Sequence, residues 1–164
     1  MSTEYNEEFF KEKELEILKH LYPNTPITAH TKWDSIDFIN YETKEVTEAK
    51  FRLFTHDHFM NRFEGRFMIE VSKYNELMDA SKTLGFKPLY VFGFMGNNPN
   101  ELERICVVDL SKIDSIFLCE SWKNCPSVTV DSNKGKRIKH VYEIPNWLNN
   151  PDTTTTYNIK YSNQ

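Results

Sequence analysis

The sequence predicts an α/β fold in which a central mixed β-sheet is flanked by helices. Three observations carry that expectation: an amphipathic helical stripe near the start, a hairpin pattern behind it, and a second helical stripe followed at once by a continuous apolar strand. At 164 residues, with 39% hydrophobic and 27% charged residues, the chain falls among globular proteins with one core and outside the disordered and collagenous classes. Aromatic residues at 14% supply enough buried area for a core that needs no disulfide or structural metal. Residues 1–148 are expected to form a single domain, and the polar, Thr-rich residues 149–164 a frayed tail.

The first helix is read over residues 5–22, where Phe10, Glu14, Ile17, Leu18 and Leu21 recur at spacings of three and four before Pro23. Glu14 therefore lies on the apolar side, whereas Glu12, Lys13, Glu16 and Lys19 fall mainly on solvated faces. Residues 33–40 and 45–53 are β-branched and aromatic around a turn at 41–44, which is a hairpin. With the turn centred between Glu42 and Thr43, Asp37 pairs with Glu48, Ile39 with Val46 and Ser35 with Lys50, all on one face because side chains alternate with period two. Asp34 is the competing acid, since a three-residue turn at 40–42 would bring it opposite Glu48. The symmetrical turn turns Asp34 to the other face and favours Asp37.

Residues 54–68 mix His56, His58, Arg62 and Arg66 with aromatics, and a connection of this length is expected to be a functional flap. The second helix is read over 70–84, with Gly85 as its left-handed cap, and residues 89–94 follow as a strand buried on both faces. Strand, helix and strand in that order imply a right-handed crossover. Two more strands are expected at 104–110 and 115–118, then a basic run containing Lys134, Lys136, Arg137 and Lys139.

The formal charge of -4 argues against a generally basic coat yet leaves room for a local basic face. No stretch approaches the roughly 18 to 20 apolar residues of a membrane span, and the acidic start lacks the order of a signal peptide, so no membrane partner and a cytoplasmic location are expected. Cys106, Cys119 and Cys125 are odd in number and fit no zinc framework, which points to reduced thiols. His56 and His58 form an H-x-H pair without a third ligand, and are read as histidines near phosphate rather than as zinc ligands.

Two carboxylates and a lysine sharing a partly buried face cost free energy unless a cation or substrate compensates them. Hard divalent ions such as Mg²⁺ take oxygen ligands and commonly use one or two protein carboxylates. The spacing Asp37, ten residues, then Glu48-Ala49-Lys50 resembles the core of the PD-(D/E)XK nuclease superfamily, and the element order from Glu14 to Phe94 is similar too. The strings DFIN, TEAKFR and FMIEVSKYN are also similar to small nucleases of phages and large DNA viruses, although no proline precedes the first aspartate.

That resemblance implies a restriction-endonuclease-like core and a Mg²⁺-dependent endonuclease acting on DNA, with Mn²⁺ as a substitute, in the host cytoplasm if phage-encoded. It implies Asp37, Glu48 and the Ala49 carbonyl as metal ligands, Lys50 as the residue that orients or deprotonates the attacking water, and Glu14 as an assistant. Arg52, His56, His58, Arg62, Arg66, Lys73, Lys134, Lys136, Arg137 and Lys139 are the expected contacts to nucleic acid. Cutting both strands needs two active sites, which a homodimer would supply; a nicking monomer is the alternative. A non-catalytic nucleic-acid-binding or assembly protein of the same fold, and a nuclease acting on RNA or branched DNA, are the competing readings.

Overall fold

The computed structural model describes residues 6–27, 36–126, 136–144 and 150–159. Helix α1 (Glu7–Leu21) starts where the Asn6 side chain accepts the Phe9 N–H at 3.0 Å. A hairpin of β1 (Phe38–Asn40) and β2 (Glu45–Arg52) follows, then α2 (His56–Phe63), β3 (Phe67–Glu70) and α3 (Val71–Leu84). The rest is β4 (Lys87–Met95), β5 (Leu102–Asp109), β6 (Cys119–Pro126), β7 (Lys136–Ile144) and β8 (Thr154–Asn158).

These strands make two sheets. The five-stranded sheet runs β1-β2-β4-β5-β8, with β2 and β4 parallel and every other neighbouring pair antiparallel. The second sheet is β3-β7-β6, antiparallel throughout. Alternation along the central strands separates two cores. Ala49, Phe51, Leu89 and Val91 pack with Ile17, Leu18 and Tyr22 of α1. Val46, Tyr90, Phe92 and Phe94 pack on the opposite face with Leu77 and Ala80 of α3 and with Phe67, Ile69 and Ile144 of the second sheet.

The mixed sheet between helices, both long helices, the hairpin and the buried strand after Gly85 are as the sequence implies; Gly85 takes the left-handed conformation at φ 71°. Four readings need correction. Residues 54–68 are no loop: Thr55 caps α2 by accepting the His58 N–H at 3.0 Å, Phe59 faces the core, and β3 follows. Residues 115–117 are a 3₁₀ turn rather than a strand, because the Asp114 carboxylate takes the Ile116 N–H and draws the chain into a turn. The Thr-rich stretch is not frayed over 154–158: its β-branched residues complete the open edge of β5. Lys13 is buried rather than solvated, its ammonium lying 5.6 Å over the Phe51 ring and reaching the Asn100 carbonyl and Glu16.

The approach of α1 to the sheet depends on Gly93 of β4. A Cβ there would lie 2.5 Å from Ile17 Cδ1 and 2.8 Å from Leu102 Cδ1. Gly93→Ala is therefore expected to cost roughly 1–3 kcal/mol of stability in denaturant unfolding. Ile17→Val in that background should recover part of the loss, and strict additivity of the two changes would show that the contact is not the cause.

Candidate functional site

The site is built on β2, the strand that joins the hairpin to the parallel pair. Phe38, Ile39 and Asn40 oppose Thr47, Val46 and Glu45, so the register continued by one residue sets Asp37 against Glu48, as the symmetrical turn requires. The Asp37 N–H donates to the Thr47 carbonyl at 3.1 Å. Asn40 holds the turn, its side-chain oxygen accepting from the N–H groups of Glu42 and Thr43, while Lys44 takes φ 59°. Ser35, expected against Lys50, and the competing Asp34 lie outside the described residues.

Asp37 Oδ2 accepts the Ala49 N–H at 2.7 Å. This bond ties the first acid to the strand that carries the second. N–H and C=O of one strand residue project toward the same side, so the Ala49 carbonyl faces the edge that Asp37 occupies. Glu48 shares the inner face with Val46 and is 3% exposed. Its Oε1 lies 3.1 Å from Lys50 Nζ and 3.7 Å from Nζ of Lys73, which stands in the first turn of α3. A carboxylate this deep requires such partners.

Burial raises the Glu48 carboxyl above its ordinary range; Lys50 and Lys73 pull it back, and Asp37 adds to the rise. Burial works to strip the Lys50 ammonium of its proton, but Glu48, with Tyr90 and Glu14, outweighs it and holds the proton on. Lys73 moves the other way, lowered by burial and by the adjacent Lys50. Glu14 belongs to the same group although it comes from α1 on the far face of the sheet. Burial raises its carboxyl to about 7, with Lys50, Asp37, Lys73 and Arg52 as the surrounding charges.

Of the expected nucleic-acid contacts, Arg52 and Lys73 stand with this group, and Arg52 lies 5.4 Å over the Phe92 ring. Lys139 reaches its border by pairing with Glu70 at 2.8 Å. His56 and His58 do not join it: Arg104 Nη1 lies 2.8 Å from His56 Nδ1, and His58 packs on Phe54 and Phe63. Arg62 and Arg66 line a separate cleft of about 370 Å³ with Met68 and Glu143. Lys136 and Arg137 open β7, and Lys134 lies outside the described residues.

Two residues escaped sequence reading. Tyr90, fully buried and in register with Glu48, looked like one more residue of an apolar strand. Glu70 ends β3 three residues before Lys73. Its proximity to Lys139 follows from the β3–β7 pairing, and only the spacing to Lys73 was visible in advance.

Comparison with family models, with curated proteins and with solved structures finds no match for this chain. Among the described residues no helix is long and apolar enough to cross a membrane, and no three His, Cys, Asp or Glu side chains gather into a ready-made metal cage.

Glu14 has a consequence for stability. A carboxyl raised to about 7 in the fold and ordinary in the unfolded chain binds more protons when folded between these limits. Its stabilising contribution is present below about pH 4.5 and is lost as pH rises through 7. Glu14→Gln should therefore flatten the fall in unfolding free energy of the metal-free protein between pH 5 and 8, measured in urea. Parallel profiles for parent and variant would contradict this burial of the acid.

Proposed function

We propose that the chain is a metal-dependent endonuclease that hydrolyses phosphodiester bonds in DNA, with a restriction-endonuclease-like core of the PD-(D/E)XK kind. The observation that carries this reading is the meeting of Asp37, Glu48 and Lys50 on one face of the β1–β2 hairpin, with the Asp37 carboxylate bonded to the Ala49 backbone. An ordinary structural ion pair accounts for Glu48 and Lys50, and a neutral acceptor would serve the Ala49 N–H as well as Asp37 does; neither accounts for the charge of Asp37 or for Glu14 beside a carboxyl already raised by burial.

The donor set suits a hard divalent ion. Asp37, Glu48 and the Ala49 carbonyl offer oxygen only, and Mg²⁺ needs no more than one or two carboxylates from the protein. When bound, Mg²⁺, or Mn²⁺ in its place, supplies Lewis acidity toward a phosphoryl oxygen and makes water a better nucleophile at neutral pH. Lys50 sets a fixed positive charge beside that point, where it offsets charge on the scissile phosphate and orients the attacking water. Glu14, with its raised carboxyl, is placed to hold or take up a proton near physiological pH. Arg52 and Lys73 flank the group and would contact the phosphates on either side.

Supercoiled plasmid is expected to be nicked or linearised with Mg²⁺ or Mn²⁺ and left intact in EDTA. Asp37→Asn keeps an acceptor for the Ala49 N–H while removing the charge; it should reduce cleavage about a hundredfold or more at unchanged thermal stability. Lys50→Ala should do the same, since Lys73 still partners Glu48. Retardation of DNA without cutting, even with Mn²⁺, would establish a non-catalytic binding protein instead. Preference for RNA or for junctions over linear duplex would move the substrate but not the chemistry.

A further inference from the structure

The second sheet reaches beyond its own support. β6 and β7 pair all the way from Cys119↔Glu143 to Pro126↔Lys136, whereas β3 covers β7 only from Val141 to Ile144. Outward of Val141 the two strands form a ribbon. By alternation, one face of that ribbon carries Glu120 and Trp122 opposite Tyr142 and His140, with Ile138 next along β7 on the same face.

At its inner end this face is packed, with the Tyr142 ring edge-on to Tyr74 of α3 at 5.1 Å. Farther out it is bare. Trp122 stacks on His140 with ring centroids 4.3 Å apart and planes 11° from parallel, and Trp122 and Ile138 are each 68% exposed. His140 Nε2 meets the Glu120 carboxylate, which fixes the imidazole plane and engages the acid beside it. The result is a preorganised aromatic shelf two rings deep: His140 occupies one face of the indole, and Trp122 remains largely exposed for a further ring to stack on.

The shelf is joined to the candidate active site. Lys139 of β7 pairs with Glu70, and Lys73, one helical turn into α3, pairs with Glu48. Beside the Lys139–Glu70 pair a cleft of about 350 Å³ is lined by Glu70, Ser72 and Asn75 on one side and Ile138, Lys139 and His140 on the other. The sequence of β7 is also basic, since Lys136 and Arg137 open the strand and Lys139 follows Ile138. Cations beside aromatic planes are what a nucleic acid without sequence preference requires: charge for the backbone and a ring for each base face.

We infer that the Trp122–His140 shelf binds unpaired nucleotides by base stacking, so that the substrate of the adjoining site is DNA with a single-stranded segment. This rests on the nuclease reading for the word substrate but not for the binding itself. A continuous duplex buries its base faces in its own stack and offers the shelf nothing but phosphate, whereas a single strand, a flap or a frayed end offers a free π face.

The test uses the full chain in EDTA, where binding is measured without cutting, with labelled oligothymidylate and a blunt duplex of the same length as probes followed by fluorescence anisotropy. The parent should prefer the single strand. Trp122→Ala should weaken oligothymidylate binding roughly ten- to a hundredfold with little change for the duplex. Trp122→Phe keeps an aromatic face, and should bind within a few-fold of the parent while losing the part of the tryptophan quenching that stacking causes. That readout stands even where the alanine variant is less stable. Equal oligothymidylate affinity of Trp122→Ala and parent, undiminished quenching in Trp122→Phe, or no binding by the parent would each overturn the inference. So would a shelf used only for self-association, seen as a Trp122-dependent dimer that ignores DNA. Trp122-dependent binding with no cleavage in Mn²⁺ would overturn the nuclease reading alone; duplex cleavage without single-strand preference would overturn the shelf alone.

Discussion

The 2.7 Å bond from the Ala49 N–H to Asp37 Oδ2 is the constraint on which the rest of the site depends. β1 is only three residues long and its ladder stops at Phe38, with a single further backbone bond, from the Asp37 N–H to the Thr47 carbonyl, before the side-chain bond takes over. The side chain does what the ladder no longer does. In holding its own position it also turns the Ala49 backbone toward the acid, and so aligns a carboxylate and a peptide carbonyl on one edge.

β2 serves two cores and a charged cluster at once, and period two is what allows it. Thr47, Ala49 and Phe51 face α1, whereas Val46, Glu48, Lys50 and Arg52 face the other way. A slip of one residue would bury Lys50 under α1 and expose Phe51, so hydrophobic burial specifies the register that the polar group needs. Glu48 then sits at 3% exposure because Tyr90 and α3 close over it, and the two lysines are the local answer to that burial. Position is fixed by apolar packing and charge is balanced afterwards.

How much of this was legible in the sequence follows from which contacts are local. The hairpin register depends on a four-residue turn and on alternation over a dozen positions, both written in adjacent residues. Glu14 was visible as an acid in an apolar stripe, for the same reason. Glu70 and Lys139 are 69 positions apart by their numbers and meet only because β3 pairs with β7, a pairing between short strands that no periodicity announces. α2 was missed because eight residues hold just one clear helical pair, Phe59 and Phe63, among polar residues that read as a loop. Tyr90 was hidden differently: its phenolic oxygen matters only once Glu48 is known to be its neighbour.

The same distinction explains why the basic run was the least informative motif before the fold was known. As a string, Lys134 to His140 is a cluster of cations, and clusters of cations are usually solvated. As a strand, its alternate residues part company. Lys139 lies on the ribbon face of Val141 and pairs with Glu70 at the border of the carboxylate group, whereas Ile138 and His140 lie on the face of Tyr142, beside Trp122. The strand thus connects a charged site to an apolar surface through neighbouring residues of one chain segment. A substitution that reversed this alternation would separate the two without removing a single charge.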